Sequence, residues 1–132
     1  MWLQLRALAL WTWTLAQAHW PGALTLILPS HSGGTLALRA SPHPVPAALI
    51  AGLGRPITSS SANRTGDPPP RHLGDAGWFG PQGPDAAVDG GPTAGRVGST
   101  IVDCCGPAPR LVRRGDLAPD ELACAVEERA DG

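Results

Sequence analysis

The sequence predicts an α/β domain, and three observations predict it. Short apolar or β-branched runs recur at Leu24–Leu28, Thr35–Arg39, Thr100–Asp103 and Arg110–Arg113. Helix-compatible runs stand around and between them, at residues 2–19, 44–53 and 119–129. Gly and Pro, 17 and 15 of 132 residues, punctuate the junctions, and strands alternating with helices make a layered sheet-and-helix fold. This length allows one small domain or part of a larger one, with a modest core. An apolar fraction of 42% suits a chain that folds.

Each element has its own reason. Leu3, Ala7, Leu10 and Trp11 share one helical face, which predicts that a helix over 2–19 covers the sheet with that face. Pro21 disfavours the α conformation at Trp20 and Gly22 tolerates a turn, so the helix stops there. Leu24–Leu28 reads as a buried strand, residues 29–34 as a turn, and Thr35–Arg39 as a strand ending on a cation. Pro44 in the first turn and the glycines at 52 and 54 delimit a helix over 44–53, with Ala48, Leu49 and Ile50 available for packing. A further strand over Pro56–Ser59 leads into a Ser/Thr/Asn-rich segment.

Residues 66–98 hold nine Gly and six Pro and predict a loop-rich stretch, a disordered linker being the other reading. Trp78, Phe79 and Val88 give it apolar groups to bury, and a short strand fits Ala86–Asp89. Thr100–Asp103 and Arg110–Arg113 form a hairpin across the Cys104–Pro109 turn. A final helix runs from Pro119 to Arg129, with Asp120 and Glu121 suiting the dipole of its first turn.

Charge is unevenly placed. Residues 1–66 carry four Arg and no acid, while 67–132 carry six Arg and eleven acids. The acid-free half suits an anionic ligand. No lysine occurs anywhere, which excludes a P-loop lysine, a Schiff base and a Ser–Lys mechanism. Cys104, Cys105 and Cys124 are odd in number and show no Cys-x-x-Cys spacing, so we expect reduced thiols in a cytoplasmic protein and no protein-bound metal site. Residues 1–18 also admit a signal-peptide reading, with Ala16-Gln17-Ala18 at the end. Against it, Arg6 and Gln4 sit inside the supposed leader. The segment is also too short to span a bilayer comfortably, and no membrane association is expected.

Six of the eleven residues in Pro56–Gly66 are Ser, Thr or Asn. Hydroxyls and a carboxamide donate to phosphate oxygens, and turn N–H groups add an anion-binding nest. An ordinary polar loop is the alternative. Its neighbours in sequence are Trp20-Pro21-Gly22-Ala23-Leu24-Thr25-Leu26-Ile27-Leu28, Thr35-Leu36-Ala37-Leu38-Arg39, Asp89-Gly90-Gly91-Pro92-Thr93-Ala94-Gly95, Ser99-Thr100-Ile101-Val102-Asp103 and Leu111-Val112-Arg113-Arg114-Gly115. In that order and spacing, over about residues 19–122, they resemble the YrdC-like threonylcarbamoyl-AMP synthases.

The resemblance implies a YrdC-like twisted, open mixed sheet with flanking helices, truncated at the N-terminus. The chain would divide into a partly divergent helix at 1–19, an incomplete YrdC-like domain at 20–122 and a helix end and tail at 123–132. The implied reaction joins ATP, L-threonine and bicarbonate into threonylcarbamoyl-AMP and releases pyrophosphate. Mg2+ accompanies the ATP, and a downstream tRNA-modifying transferase complex uses the product; RNA is a further implied partner. Position by position, Arg39, Ser59 and Ser99 resemble the family's threonine contacts, and Thr35, Ser61, Asn63 and Arg113 its ATP contacts.

Departures from the pattern are specific. Pro69 stands where many relatives place a serine, and Arg39-Ala40-Ser41-Pro42-His43-Pro44 moves the first proline of an Arg-x-Pro-x-His-Pro motif. His43 itself reads as a capping or packing residue. The chain has no tyrosine and no lysine, so it resembles the domain without its Pro-Thr-x-Thr-x-Tyr-Gly-Leu and Lys-x-Arg elements. A non-catalytic nucleotide- or RNA-binding module is therefore the alternative. A carbamoyl-transferase module of the hydrogenase-maturation type and a small secreted protein rank behind it.

Overall fold

The computed structural model describes residues 9–76, 83–93 and 97–128. Two compact units emerge, one from residues 1–56 and 97–132 and the other from 57–96.

The first unit is built on a five-stranded sheet of order β2-β1-β3-β4-β5. Strand β1 (Leu24–Pro29) runs antiparallel to β2 (Thr35–Leu38) and parallel to β3 (Thr100–Asp103); β3 is antiparallel to β4 (Arg110–Arg113), and β4 is parallel to the short β5 (Glu127–Glu128). The expected mixed, open sheet is therefore present. Leu24, Leu26 and Leu28 are buried while Thr25 and Ile27 are half-buried, the period-two signature of a strand with one face on the core. Leu24 pairs with Thr100 and Leu26 with Val102, so the buried face continues across the parallel pair.

Helix α1 (Leu10–His19) packs against β1. The expected inward face differs from the observed one. Leu10 is 83% exposed, whereas Leu15 and Thr12 are buried and Trp11 and Ala16 pack against the core; Leu3 and Ala7 lie outside the described residues. The inward stripe is thus Trp11, Thr12, Leu15 and Ala16, the i, i+1, i+4, i+5 set of a helix lying flat on a sheet. Trp20 follows the helix, and its indole N–H donates to the Leu24 carbonyl at 2.7 Å.

Helix α2 (Pro44–Leu53) has the expected bounds. His43 caps it, its Nδ1 accepting the Val45 N–H at 3.2 Å, and Gly54 ends it with φ 63, a left-handed value that a side chain disfavours. Gly52 lies inside the helix. No α2 residue is buried, so the packing expected of Ala48, Leu49 and Ile50 is only partial.

Three further expectations fail. Residues 56–61 form no strand; both edges of β1 are already filled, by β2 and β3. Residues 86–89 are irregular as well. The final helix reduces to a 3-10 turn at Pro119–Glu121 followed by extended chain to β5, with Arg129 outside the described residues. Leu122, Cys124 and Val126 all face the core, a two-residue period that an extended segment satisfies and a helix does not. Trp78 and Phe79 also lie outside the described residues. Among those described, no helix is long and apolar enough to cross a membrane.

Candidate functional site

The first unit gathers its polar groups where β1, β3 and β4 meet. Gly98 precedes β3 with φ +109, a conformation suited to glycine. The segment it opens is held from several sides. The Asp116 carboxylate accepts the Val97 N–H at 3.0 Å, and the Asp116 N–H donates to the Gly98 carbonyl at 2.8 Å. Thr100 is a buried hub: its hydroxyl donates to the Leu117 carbonyl at 2.5 Å and accepts the N–H groups of Gly115 and Leu117 at 3.1 and 3.2 Å. Its own N–H donates to the Ala23 carbonyl at 2.9 Å.

Ser99 sits inside this frame, 6% exposed. Arg113 donates to the Ser99 carbonyl from Nε at 3.2 Å and from Nη2 at 2.8 Å, and Nη2 also lies 3.3 Å from the Ser99 hydroxyl. The Ser99 and Thr25 hydroxyls are 2.7 Å apart. Two residues expected to contact different substrates are thus joined directly, and Nη1 of Arg113 has no partner among the described residues.

Arg39 follows β2 and is exposed; its Nε donates to the Gly22 carbonyl at 2.9 Å. That bond orients the guanidinium from its inner nitrogen, and the two terminal nitrogens have no partner among the described residues. They form the planar fork that grips a carboxylate. Thr35, paired with Pro29 at the edge of the sheet, is exposed.

The second unit holds the other three expected contacts. Ser59 and Ser61 are exposed in irregular chain. Asn63 differs from expectation: its Nδ2 donates to the carbonyls of Arg64 and Asp67 at 3.0 and 2.9 Å, closing the turn, while Oδ1 is buried without a partner. With both donors engaged, the carboxamide has only an acceptor to offer, which suits an amino or hydroxyl group of a nucleoside and not a phosphate oxygen. A mostly apolar cavity of about 280 Å³ lies in this unit, lined by Ala62, Arg71, His72, Leu73, Val88 and Thr93 among others.

The thiols are poor nucleophiles. Burial pushes Cys104 up to about 12, against a pull downward from the Thr12 hydroxyl, and pushes Cys105 up to about 11 with help from the Asp103 carboxylate. Burial also raises Cys124. Asp103 is held below its usual range, first by the Cys105 N–H and then by Arg110. Among the described residues no group of three or more His, Cys, Asp or Glu could hold a metal.

Sequence reasoning missed Thr25, Thr100, Gly115 and Asp116 as parts of this frame. The available signal was a pair of polar residues, Ser99 and Thr100, just ahead of the apolar Ile101 and Val102, with a threonine inside the Leu-rich β1.

The comparisons with known proteins converge. The Sua5/YciO/YrdC family model, described as "Telomere recombination", matches residues 5–115, so the chain belongs to that family. It is 35% identical over 123 residues to a threonylcarbamoyl-AMP synthase of Bacillus subtilis, covering 86% of this chain and 36% of the relative. A putative threonylcarbamoyl-AMP synthase of Mycobacterium tuberculosis is 39% identical over 120 residues, covering 83% and 54%. The chain thus spans a third to a half of these relatives. The crystal structure of P. abyssi Sua5 complexed with L-threonine superposes with a TM-score of 0.82 at 29% identity, over 96% of this chain and 41% of that one.

Proposed function

We propose that this chain binds L-threonine and ATP as a substrate-positioning part of a threonylcarbamoyl-AMP synthase. In that reaction the threonine amine and bicarbonate form a carbamate with loss of water. A carbamate oxygen then attacks the α-phosphorus of ATP, and the bond to pyrophosphate breaks. Such chemistry asks a protein mainly for positioning and charge neutralisation. Arg39 takes the threonine carboxylate on its outer nitrogens, and Ser99 and Ser59 are the further threonine contacts that the resemblance implies. Thr35, Ser61, Asn63 and Arg113 contact ATP, which arrives with Mg2+. The product passes to a tRNA-modifying transferase complex in the cytoplasm.

The observation that supports this reading is the grip of Arg113 on Ser99, which joins the residue proposed for the nucleotide to one proposed for the amino acid. A second reading, a nucleotide- or RNA-binding module without chemistry, draws on the absence of lysine from the whole chain.

Calorimetric titration with L-threonine and with Mg-ATP tests the first reading, alongside pyrophosphate release in the presence of bicarbonate. Binding of both ligands is expected, and pyrophosphate release, where it occurs, should require threonine. Absence of threonine binding would refute the synthase reading, and ATP or RNA binding alone would favour the second.

A further inference from the structure

We infer that Thr25 is a positioning residue for the threonine site, fixing the direction in which the Ser99 hydroxyl donates; this rests on the proposed role of Ser99. A serine hydroxyl has one proton and two lone pairs and rotates freely about its C–O bond. Here two polar groups meet it. Arg113 Nη2, 3.3 Å from the Ser99 Oγ, is able only to donate. Thr25 Oγ1, at 2.7 Å, has Ser99 as its hydrogen-bonding partner. Either hydroxyl can donate in the unliganded chain; once a ligand oxygen accepts from Ser99, the arrangement that places every proton on an acceptor has Thr25 donate to Ser99. Both Ser99 lone pairs are then filled, by Arg113 and Thr25, and its proton points away from both, toward that oxygen.

The backbone cannot answer to anything else. Arg113 holds the Ser99 carbonyl with two nitrogens, and Thr100 is anchored on Leu117 and Ala23. Thr25 stands on an interior strand, next in sequence to the buried Leu24 and Leu26, and its β-branched side chain is stiff about χ1. The side chain that sets the hydroxyl therefore belongs to a strand paired on both edges. The ligand group so served is an acceptor oxygen, such as a carboxylate or carbamate oxygen of the amino-acid substrate.

Calorimetry on the full chain with L-threonine and, separately, Mg-ATP tests this in Thr25→Val, Thr25→Ala, Thr25→Ser, Ser99→Ala and Thr25→Val/Ser99→Ala. Val keeps the shape and strand preference of Thr without its hydroxyl, and Ala removes the hydroxyl by a second route should Val perturb folding. Thr25→Val and Thr25→Ala are expected to raise the threonine Kd by about three- to tenfold, the size of one net hydrogen bond, with the ATP Kd unchanged. Thr25→Ser should bind as the parent does, and Thr25→Val should add nothing in the Ser99→Ala background. Unchanged threonine affinity in Thr25→Val, an effect as large in the Ser99→Ala background, or failure of Ser to rescue would each overturn the positioning role alone. A parent chain that binds no threonine overturns the functional reading together with it.

Discussion

Gly115 lies so close to Ser99 that a β-carbon on it would stand 2.4 Å from the Ser99 carbonyl carbon. Real β-carbons do not approach backbone that closely, so one residue without a side chain lets the β4 exit fold over the start of β3. Gly115→Ala should force the two segments apart. The expected loss is about 1–3 kcal/mol of stability, in the range of overpacking, read as a lower urea midpoint with an unchanged slope. It should also weaken threonine binding, since Ser99 moves with the displaced backbone. An unaltered midpoint would mean that the two segments separate without strain.

Thr100 makes the complementary case, in which a side chain and not its absence holds the junction. Thr100→Val keeps the volume and removes a hydroxyl that serves Leu117 and Gly115. Buried backbone groups are left unpaired, and about 1–3 kcal/mol should be lost. Thr100→Ser should recover most of it in the same denaturation measurement. Equal stability of the Val variant would show that water replaces the hydroxyl.

Arg39 and Arg113 should separate by ligand. Arg39→Lys removes the planar fork and its bond to Gly22, and should raise the threonine requirement while leaving ATP affinity nearly unchanged. Arg113→Lys should weaken both ligands, because it releases Ser99 as well as a cation. Calorimetry with each ligand checks both, and loss of ATP binding in Arg39→Lys would exchange the assignments.

Cys105 is exposed yet held as a thiol to about pH 11 by partial burial and by Asp103. Its alkylation by iodoacetamide at pH 8 should be slower than that of a free thiol, because the thiolate is the nucleophile. Asp103→Asn should speed it several-fold at the same pH, as peptide mass spectrometry would record. The Asp103 carboxyl itself has its folded value depressed below 3.8. It therefore contributes stability above about pH 4 that is lost as pH falls through the folded value. Asp103→Asn should flatten the stability profile below pH 4, and an identical profile would remove Asp103 from the acid response.

What could be read from the sequence was whatever a local pattern decides. The alternation in Leu24–Leu28 and the Pro44 and Gly54 punctuation fix β1 and α2, because each depends on neighbours a few residues away. Pro119–Glu128 defeated the same approach: its acidic first turn and apolar content suit a helix, but the apolar positions 122, 124 and 126 answer to the core at period two. Pro56–Ser59 has strand-like residues and no vacant sheet edge on β1, which only the strand order reveals. Among candidate site residues, Arg39 was legible as a guanidinium suited to a carboxylate, while Ser99 was singled out only by the resemblance of its segment. Thr25 was not, because its meaning lies in a partner 74 positions away.

The parallel pairing of β1 with β3 also governs when a site can exist. During synthesis β1 and β2 emerge as a hairpin, and an isolated two-stranded ribbon is marginally stable at best. The next strand of the sheet is not made until residue 103, and closing that distance must precede the contacts that reward it. Thr25 waits through 74 further residues of synthesis for the hydroxyl it orients. Maturation of the pocket and completion of the hydrophobic core are one event, so a nascent chain halted before β3 would hold neither.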